Sequence, residues 1–301
     1  MWFKNLTLFR IVQWPKLTSE DLQARLGEHA VRPCGNHEPM TLGWSSPYGI
    51  EDERMVHSVG QCHLLRFTVR ERVLPPAVVK EKVAERSAAF EEKTGKRPGR
   101  RQQVTLRDEV MMELLPQAFV KPAYTDCYVD AEAGWLVVNT ASAKRAEEIS
   151  TALRHALEGL KVQAIDASNK IKTMLTHWLE HGDVGGDFEL GDECDLRDDR
   201  DAGSTVRCRK QDLEAPEIRL HLKAGKLAVK LGLVWAERLA FTLSEDFALA
   251  RLKPQDMLIE QMETVPDDDE IANLDAQFAL MTLELRALIK ALGEALELPF
   301  D

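Results

Sequence analysis

The sequence predicts an α+β protein with more than one lobe, and three observations lead to this fold class. Its 301 residues are 44% hydrophobic and 30% charged, which is enough apolar material to bury a sizeable core. Segments that alternate apolar and polar residues, as strands do, are interspersed with segments whose apolar residues recur every three or four positions, as in helices. Turns rich in Pro and Gly punctuate these segments, for example at residues 94–101. We therefore expect a globular protein built from both kinds of element.

A central α+β domain is expected from residues 1–75 and 119–166. Its predicted strands share an alternating apolar pattern and lie within residues 2–12, 55–74, 123–130 and 134–140. Its predicted helices each begin near a residue that can cap a helix, and they lie at 17–29 and 141–157. The stretch 32–49, which contains several Pro and Gly residues, is expected to be a long loop.

Residues 76–118 are predicted to form a helical hairpin that interrupts this domain. Helical spacing on either side surrounds the turn TGKRPGRR at 94–101. Six Lys or Arg and no acid occur from Lys93 to Arg107, although the whole chain has a formal net charge of -11. The positive charge is therefore expected on an exposed turn and the adjoining helix ends.

A C-terminal α+β domain is expected from residues 167–301. Its predicted elements are a helix at 169–182, two strands in 226–244 that turn at Ala236–Glu237, and a last helix from Asp268 to Leu296. The segment 183–201 is rich in Asp and Glu, and we expect it to be a solvated acidic loop.

The sequence lacks the motifs of nucleotide-dependent and zinc-dependent chemistry. Neither GxxxxGK[ST] nor GxGxxG occurs, so ATP use is not expected. Cys34 with His37 and Cys62 with His63 offer metal-ligand types, but no second pair at zinc spacing completes a set of four. We therefore expect no catalytic residue, no cofactor and no metal.

The expected location is the cytoplasm. The five cysteines are odd in number and widely spaced, which suits reduced thiols better than a disulfide framework. The opening WFKNLTLFRIVQW is too short and too charged for a membrane span, and it lacks the pattern of a signal peptide. No membrane partner is expected.

The acidic residues leave two alternative functions open. Carboxylates in 192–201 could hold magnesium for phosphodiester hydrolysis, as in a metal-dependent nuclease, if they converged on the metal positions. The acidic segment 183–201 could instead act as a DNA mimic toward a basic partner protein.

Basic side chains on two segments, together with one amide, are suited to phosphate oxygens through charge and donor geometry. They are Lys93, Lys96, Arg97, Arg100 and Arg101 on the hairpin turn, and Arg207, Arg209, Lys210 and Gln211 on a second segment. A run of charge is more often a solvated face than a nucleic-acid site, so this pattern alone does not decide the function.

Seven segments, in order and across nearly the whole chain, resemble the recombination-associated protein RdgC family. They are WFKNL (2–6), RPCGNHEPMTLGWSSPYG (32–49), LLPQAF (114–119), ASAKRAE (141–147), RKQDL (209–213), HLKAGKLAVKLGLVWAERLAF (221–241) and DAQFALMTLELRALI (275–289). The resemblance implies a bacterial nucleoid-associated protein that binds double-stranded DNA with little sequence preference and is not an enzyme. It also implies functional antagonism with the strand-exchange recombinase.

The resemblance further implies a horseshoe-shaped subunit that closes with a second copy as a ring-shaped homodimer around DNA. The central domain, the helical hairpin and the C-terminal domain would be its centre, tip and base. The acidic residues are then expected on outer surfaces that DNA does not touch. The last helix carries Phe278, Leu280, Met281 and Leu285, whose apolar face serves either a contact between two bases or the core of the domain itself.

Site residues follow from the matching segments. In RKQDL, Lys210 and Gln211 are expected to contact DNA inside the ring, with Arg209 beside them. Lys121 and the basic turn are further expected DNA contacts. Phe119 in LLPQAF is expected to make the tip contact that closes the ring, and the alternative for Phe119 is an ordinary core aromatic at a helix end.

Overall fold

The computed structural model of this chain describes residues 2–49, 52–201, 203–263 and 270–300. Within these residues the fold is a mixed α+β architecture with eight α-helices and two antiparallel sheets. The α+β class predicted from the sequence is confirmed.

The elements are numbered in chain order. The helices are α1 (Ser19–Glu28), α2 (Pro76–Thr94), α3 (Arg100–Leu114), α4 (Ala143–Ala156), α5 (Ser168–His181), α6 (Pro216–Lys223), α7 (Asp256–Glu263) and α8 (Glu270–Ala295). The strands are β1 (Thr7–Gln13), β2 (Met40–Ser45), β3 (His57–Val59), β4 (Cys62–Val73), β5 (Phe119–Asp130), β6 (Trp135–Val138), β7 (Lys161–Ala164), β8 (Phe188–Asp198), β9 (Thr205–Arg209), β10 (Lys226–Trp235), β11 (Leu239–Ser244) and β12 (Leu249–Pro254).

The chain divides into two compact units. The first unit comprises Met1–Leu22, Val56–Leu65 and Asp126–Asp301, and the second comprises Gln23–Met55 and Arg66–Thr125. Strands β4 and β5 each continue from one unit into the other. The predicted division into centre, tip and base stays a prediction.

In the first unit, β1 lies between β6 and β7, and β5 pairs with β6 on its far side. The second sheet lies wholly in this unit and has the strand order β12-β11-β10-β8-β9. Helices α5 and α8 contribute the buried residues Ile171, Leu175, Phe278, Met281 and Leu285 to the core around these strands. The apolar face of α8 therefore serves the core of its own unit, which excludes these three α8 side chains as a base contact.

In the second unit, β2 pairs with the later half of β4, from Met40 opposite Glu71 to Ser45 opposite Arg66. Helices α2 and α3 form the predicted hairpin, in which Val79 and Val110 are buried and an ion pair of 2.6 Å joins Arg86 and Glu113. The helical-hairpin prediction is confirmed.

Two loop predictions are wrong. Within 32–49 the stretch Met40–Ser45 is strand β2, and within the acidic segment Phe188–Asp198 is strand β8. In β8, Cys194 and Leu196 are buried while the charged residues beside them face the other side of the sheet. In β8, the high content of Asp and Glu hid this alternation from an interpretation based on composition. The predicted start of the last helix at Asp268 lies outside the described residues.

An ion pair fastens α8 to the turn between β5 and β6. Arg286 Nε and Nη2 donate to the two carboxylate oxygens of Asp130 at 2.8 and 2.9 Å, a two-point geometry that is among the strong ion pairs. The Asp130 carboxylate is 3% exposed, and it also accepts the Ala133 N–H at 2.8 Å. The hydrogen bond to Asp130 raises the pKa of Arg286 above its usual value, so the guanidinium stays charged.

We expect Arg286→Ala to lower the free energy of unfolding by about 3 kcal/mol, because it leaves the buried Asp130 carboxylate without its cation. Denaturant unfolding followed by circular dichroism measures this loss. Lys290→Ala is the matched control, since it removes an exposed cation from the same helix and should change stability by less than about 0.5 kcal/mol. Equal unfolding midpoints for Arg286→Ala and the parent would contradict the assignment.

Candidate nucleic-acid interface

A broad groove crosses one face of the second sheet. Its volume is about 1320 Å³, and its lining comes from β8, β10, β11, β12 and the turn after β9. Cationic and amide side chains at the groove are Arg209, Lys210, Gln211, Arg251 and Lys253. Three of these five are residues that the sequence analysis singled out.

The floor of the groove is formed where two glycines meet. A Cβ atom on Gly191 would lie 3.0 Å from the carbonyl carbon of Gly232, and a Cβ atom on Gly232 would lie 2.9 Å from Glu193 Cγ. Only residues without a side chain allow this close approach. The Glu193 side chain therefore packs directly over the backbone of β10.

The Glu193 carboxylate is the centre of a charge network at this floor. It accepts a hydrogen bond from Thr242 Oγ1, and its Oε2 atom lies 2.6 Å from Arg251 Nη1 and 3.4 Å from Arg209 Nε. Its side chain is 12% exposed. One carboxylate thus contacts arginines from β12 and β9, the first and last strands in the order of this sheet.

Arg209 is held by protein oxygens at each of its three guanidinium nitrogens. Nη1 donates to the carbonyl oxygens of Cys208 at 2.7 Å and Cys194 at 3.3 Å, Nη2 lies 2.7 Å from Asp195 Oδ1, and Nε contacts Glu193. These contacts follow from the antiparallel register, which places Arg209 opposite Glu193. Strand β8, which carries the acidic residues, and strand β9, which carries the basic ones, therefore pair side by side.

Lys210 and Gln211 leave the edge strand β9 at a tight turn. Lys210 has a φ of 51° and an exposed side chain, and the structure shows no ion pair for it among the residues it describes. Gln211 N–H donates to the Asp192 carbonyl at 3.0 Å, and its Nε2 donates to Glu217 at 2.9 Å. The turn therefore presents Lys210 to solvent while the backbone beneath it is fixed.

The turn of the hairpin carries the other basic cluster. Gly95, with a φ of 70°, ends α2, and its N–H donates to the Glu91 carbonyl at 2.8 Å. All five basic side chains of this turn are exposed: Lys93, Lys96, Arg97, Arg100 and Arg101. Arg97 Nε lies 3.3 Å from Glu91, a weak surface pair. The exposed position predicted for this charge is confirmed.

Phe119 is a surface residue. It begins β5 and is 88% exposed, so the alternative of a core aromatic is excluded. Lys121 is also exposed, and it shares a face of the strand with Phe119 because side chains alternate along β5.

Arg72 fixes the turn that leads to Phe119. Its guanidinium donates to the carbonyl oxygens of Leu115 and Ala118 at 2.8 and 3.1 Å, and to those of Cys34 and Gly35 at 3.4 and 3.2 Å. One side chain thus joins the loop after α1 to the residue before Phe119.

All five cysteines are free, and burial raises the pKa of Cys194 to about 12, so its thiol is protonated at neutral pH. Within the described residues, no group of three or more His, Cys, Asp or Glu side chains is placed to hold a metal ion. No helix in the same residues is long and apolar enough to cross a bilayer.

Comparison with known proteins identifies the family. The family model described as "Putative exonuclease, RdgC" matches residues 1–298. The chain belongs to the RdgC family. Relatives named recombination-associated protein RdgC match this chain over almost their full length. One from Pseudoalteromonas atlantica is 38% identical over 100% of this chain and 99% of the relative. One from Pseudomonas aeruginosa is 37% identical over 98% of this chain and 97% of the relative. Another, from Yersinia enterocolitica, is 36% identical over 98% of both chains.

Membership of the RdgC family confirms the resemblance seen in the seven segments. Sequence reasoning nevertheless missed Arg251 and Lys253 as groove residues, because it assigned no element to Leu249–Pro254. The alternation of Arg251 and Lys253 with the apolar Ala250 and Leu252 was a signal for a strand, but the partner strand β11 had to be known before the groove could be located.

We expect Arg209→Gln to lower the free energy of unfolding by about 1–3 kcal/mol, since Asp195 loses its ion-pair partner and two backbone carbonyls lose their donor. Thermal and denaturant unfolding measure the loss. Arg207→Gln, on the same strand and exposed, is the control and should change stability by less than about 0.5 kcal/mol. If both variants unfold like the parent, Arg209 is a solvated cation and its contacts do not stabilise the sheet.

Proposed function

We propose that this protein binds double-stranded DNA without sequence preference and thereby modulates homologous recombination by limiting the strand-exchange recombinase. The observation that carries the proposal is the pair of exposed basic sites, Lys210 at the groove with the partly exposed Gln211 beside it and the hairpin turn Lys93–Arg101, in a chain of the RdgC family. Side chains of this kind contact phosphate oxygens, which every DNA sequence presents. Nucleoid association follows from such binding, and no catalytic step is part of the proposal.

The second part of the proposal is a ring-shaped homodimer of horseshoe-shaped subunits that encircles the duplex. A two-fold contact buries the same patch of both copies, so each contact must complement itself. Phe119 is suited to such a contact, because an aromatic ring that is 88% exposed gains much from burial. Two further apolar side chains of the same unit, Val104 and Met112, are about half exposed.

A metal-dependent nuclease remains the second candidate, favoured by the family description "putative exonuclease". In β8, the carboxylates of Glu193 and Asp195 face arginines, and Asp199 pairs with Lys172 at 2.8 Å. Incubation of plasmid and linear duplex with magnesium, with EDTA as control, separates the two functions. If magnesium-dependent shortening of the DNA is still observed after the protein has been purified again, the nuclease function would be established.

The pairing of these carboxylates with cations of the same chain also argues against the acidic DNA mimic. A mimic presents its carboxylates to a basic partner, whereas Glu193 and Asp195 are bound by arginines of this chain. Charge reversal at exposed Glu189 and Asp192 that abolished binding to a partner protein but not to DNA would favour the mimic.

We expect replacement of both Lys210 and Gln211 by Ala to weaken duplex binding without changing the oligomer. If about six phosphates are neutralised, log K falls with log salt at a slope near -5, and loss of one contact should reduce that slope by about 0.9. Fluorescence anisotropy at several salt concentrations measures both quantities. Lys290→Ala removes one charge outside the groove and serves as control. Loss of the dimer on a sizing column would assign these residues to the subunit contact instead.

We expect Phe119→Ala to leave a dimer in solution but to reduce retention on closed circular DNA, because an opened ring can leave the duplex sideways. The measurement is dissociation of the preformed complex from closed circular and from linear DNA after addition of competitor. Leu220→Ala, which truncates another exposed apolar side chain, is the matched control. Retention equal to that of the parent would show that Phe119 does not close the ring.

A further inference from the structure

We propose that Arg251, which the sequence analysis did not consider, is the arginine of the groove that contacts DNA phosphate, with Lys253 beside it. This inference rests on the proposed function and names a new binding residue for it. It also gives Arg209 a different role, that of a structural residue beneath Lys210.

An irregularity of the backbone sets the direction of the Arg251 side chain. Between β11 and β12 the pairing shifts from Ala240 opposite Lys253 to Thr242 opposite Ala250, so Arg251 and Leu252 together oppose the single residue Phe241. This is a β-bulge, a feature that redirects a side chain relative to the regular strand. Arg251 has a φ of 56°, a left-handed conformation that costs free energy for a residue other than glycine and that occurs preferentially at functional sites.

The bulge is fixed from its other side. The segment before β1 pairs with β12, with Leu6 N–H donating to the Leu249 carbonyl at 2.7 Å and Leu252 N–H donating to the Lys4 carbonyl at 2.8 Å. Between these two bonds, the Arg251 N–H donates to Asn5 Oδ1 at 3.2 Å. The bulge is therefore held by hydrogen bonds along both edges of β12 and does not depend on a mobile loop.

The donors of the two groove arginines differ. All three nitrogens of Arg209 contact protein oxygens, and its side chain is 39% exposed. Arg251 contacts Glu193 through Nη1, and among the described residues the structure shows no partner for its Nε and Nη2. Its side chain is 50% exposed. Arg251 can therefore offer a phosphate two donor nitrogens, as bidentate phosphate recognition requires, while Nη1 stays on the carboxylate.

Glu193 has a defined part in this arrangement. It retains Thr242 and Arg209 as partners without Arg251, so its carboxylate does not need Arg251 for neutralisation. What Glu193 adds is orientation, because an arginine anchored at one nitrogen loses less rotamer freedom when it binds a ligand. Acidic side chains such as Glu189 and Asp192 also line the groove, so a short bidentate contact is needed there rather than a general positive field.

The test is fluorescence anisotropy with a labelled duplex of arbitrary sequence, over several salt concentrations, using the full-length protein. Arg251→Gln should weaken binding about tenfold and reduce the salt slope by about 0.9. Arg209→Gln should leave the salt slope unchanged. Lys290→Gln removes the same charge outside the groove and is the matched control.

A double variant separates contact from net charge. Glu193→Gln combined with Arg251→Gln restores the net charge of the parent, so a long-range effect predicts parental affinity, whereas the direct contact predicts that the weaker binding and the lower slope persist. Arg251→Lys keeps the charge, and it should keep the slope while losing part of the affinity. Circular dichroism of each variant checks the fold, and Arg251→Lys carries the test if Arg251→Gln unfolds.

The outcomes distinguish this inference from the proposed function. Parental affinity and slope in Arg251→Gln, with the Lys210 and Gln211 double variant still weakened, overturn the role of Arg251 and leave the proposed function standing. Parental binding in all variants overturns both. A loss in Arg209→Gln equal to that in Arg251→Gln would show that the donors of Arg209 rearrange to reach DNA, and it too contradicts the inference.

Discussion

The ion pair of Arg286 with Asp130 is the constraint on which the first unit depends. It fixes α8 against the β5–β6 turn, and this places Phe278 beside Tyr128, whose ring centroids lie 5.9 Å apart. Tyr128 in turn packs on Phe3 at 5.7 Å, so α8 holds the segment before β1. That segment pairs with β12 through Leu6 and Leu249 and thereby supports one wall of the groove.

The charge of the groove is decided locally and not by the net charge of -11. The antiparallel register of β8 and β9 sets carboxylates opposite arginines, and these neutralise one another. Two cations are neutralised less completely. Among the described residues, Lys210 at the turn has no ion pair, and Arg251 at the bulge pairs with a carboxylate through Nη1 only. An acidic protein can therefore carry the phosphate contacts that we propose.

The second unit has a different balance between core and surface. Its hairpin buries few side chains, and residues 119–124 at the start of β5 are exposed on both faces of the strand. Arg72 compensates locally, because its four hydrogen bonds to carbonyl oxygens hold the turn before Phe119 without a hydrophobic core. A strand that is fixed but uncovered is what a self-association site requires, and this supports the proposed role of Phe119.

The sequence by itself determined the elements whose signals are local. Helical spacing and Gly95 predicted the hairpin and its exposed basic turn, and the turn at Ala236–Glu237 predicted the pairing of β10 with β11, where both residues have φ near 50°. The tertiary structure alone decided the rest. Strand β8 could not be read from its sequence because arginines of β9 and β12 stabilise its charged face, and the sequence does not show which strands those arginines will reach. Three further features likewise depend on strand pairing and on a bulge: the exposure of Phe119, the internal contacts of Arg209 and the direction of the Arg251 side chain. Neither composition nor spacing specifies which strand a residue will face.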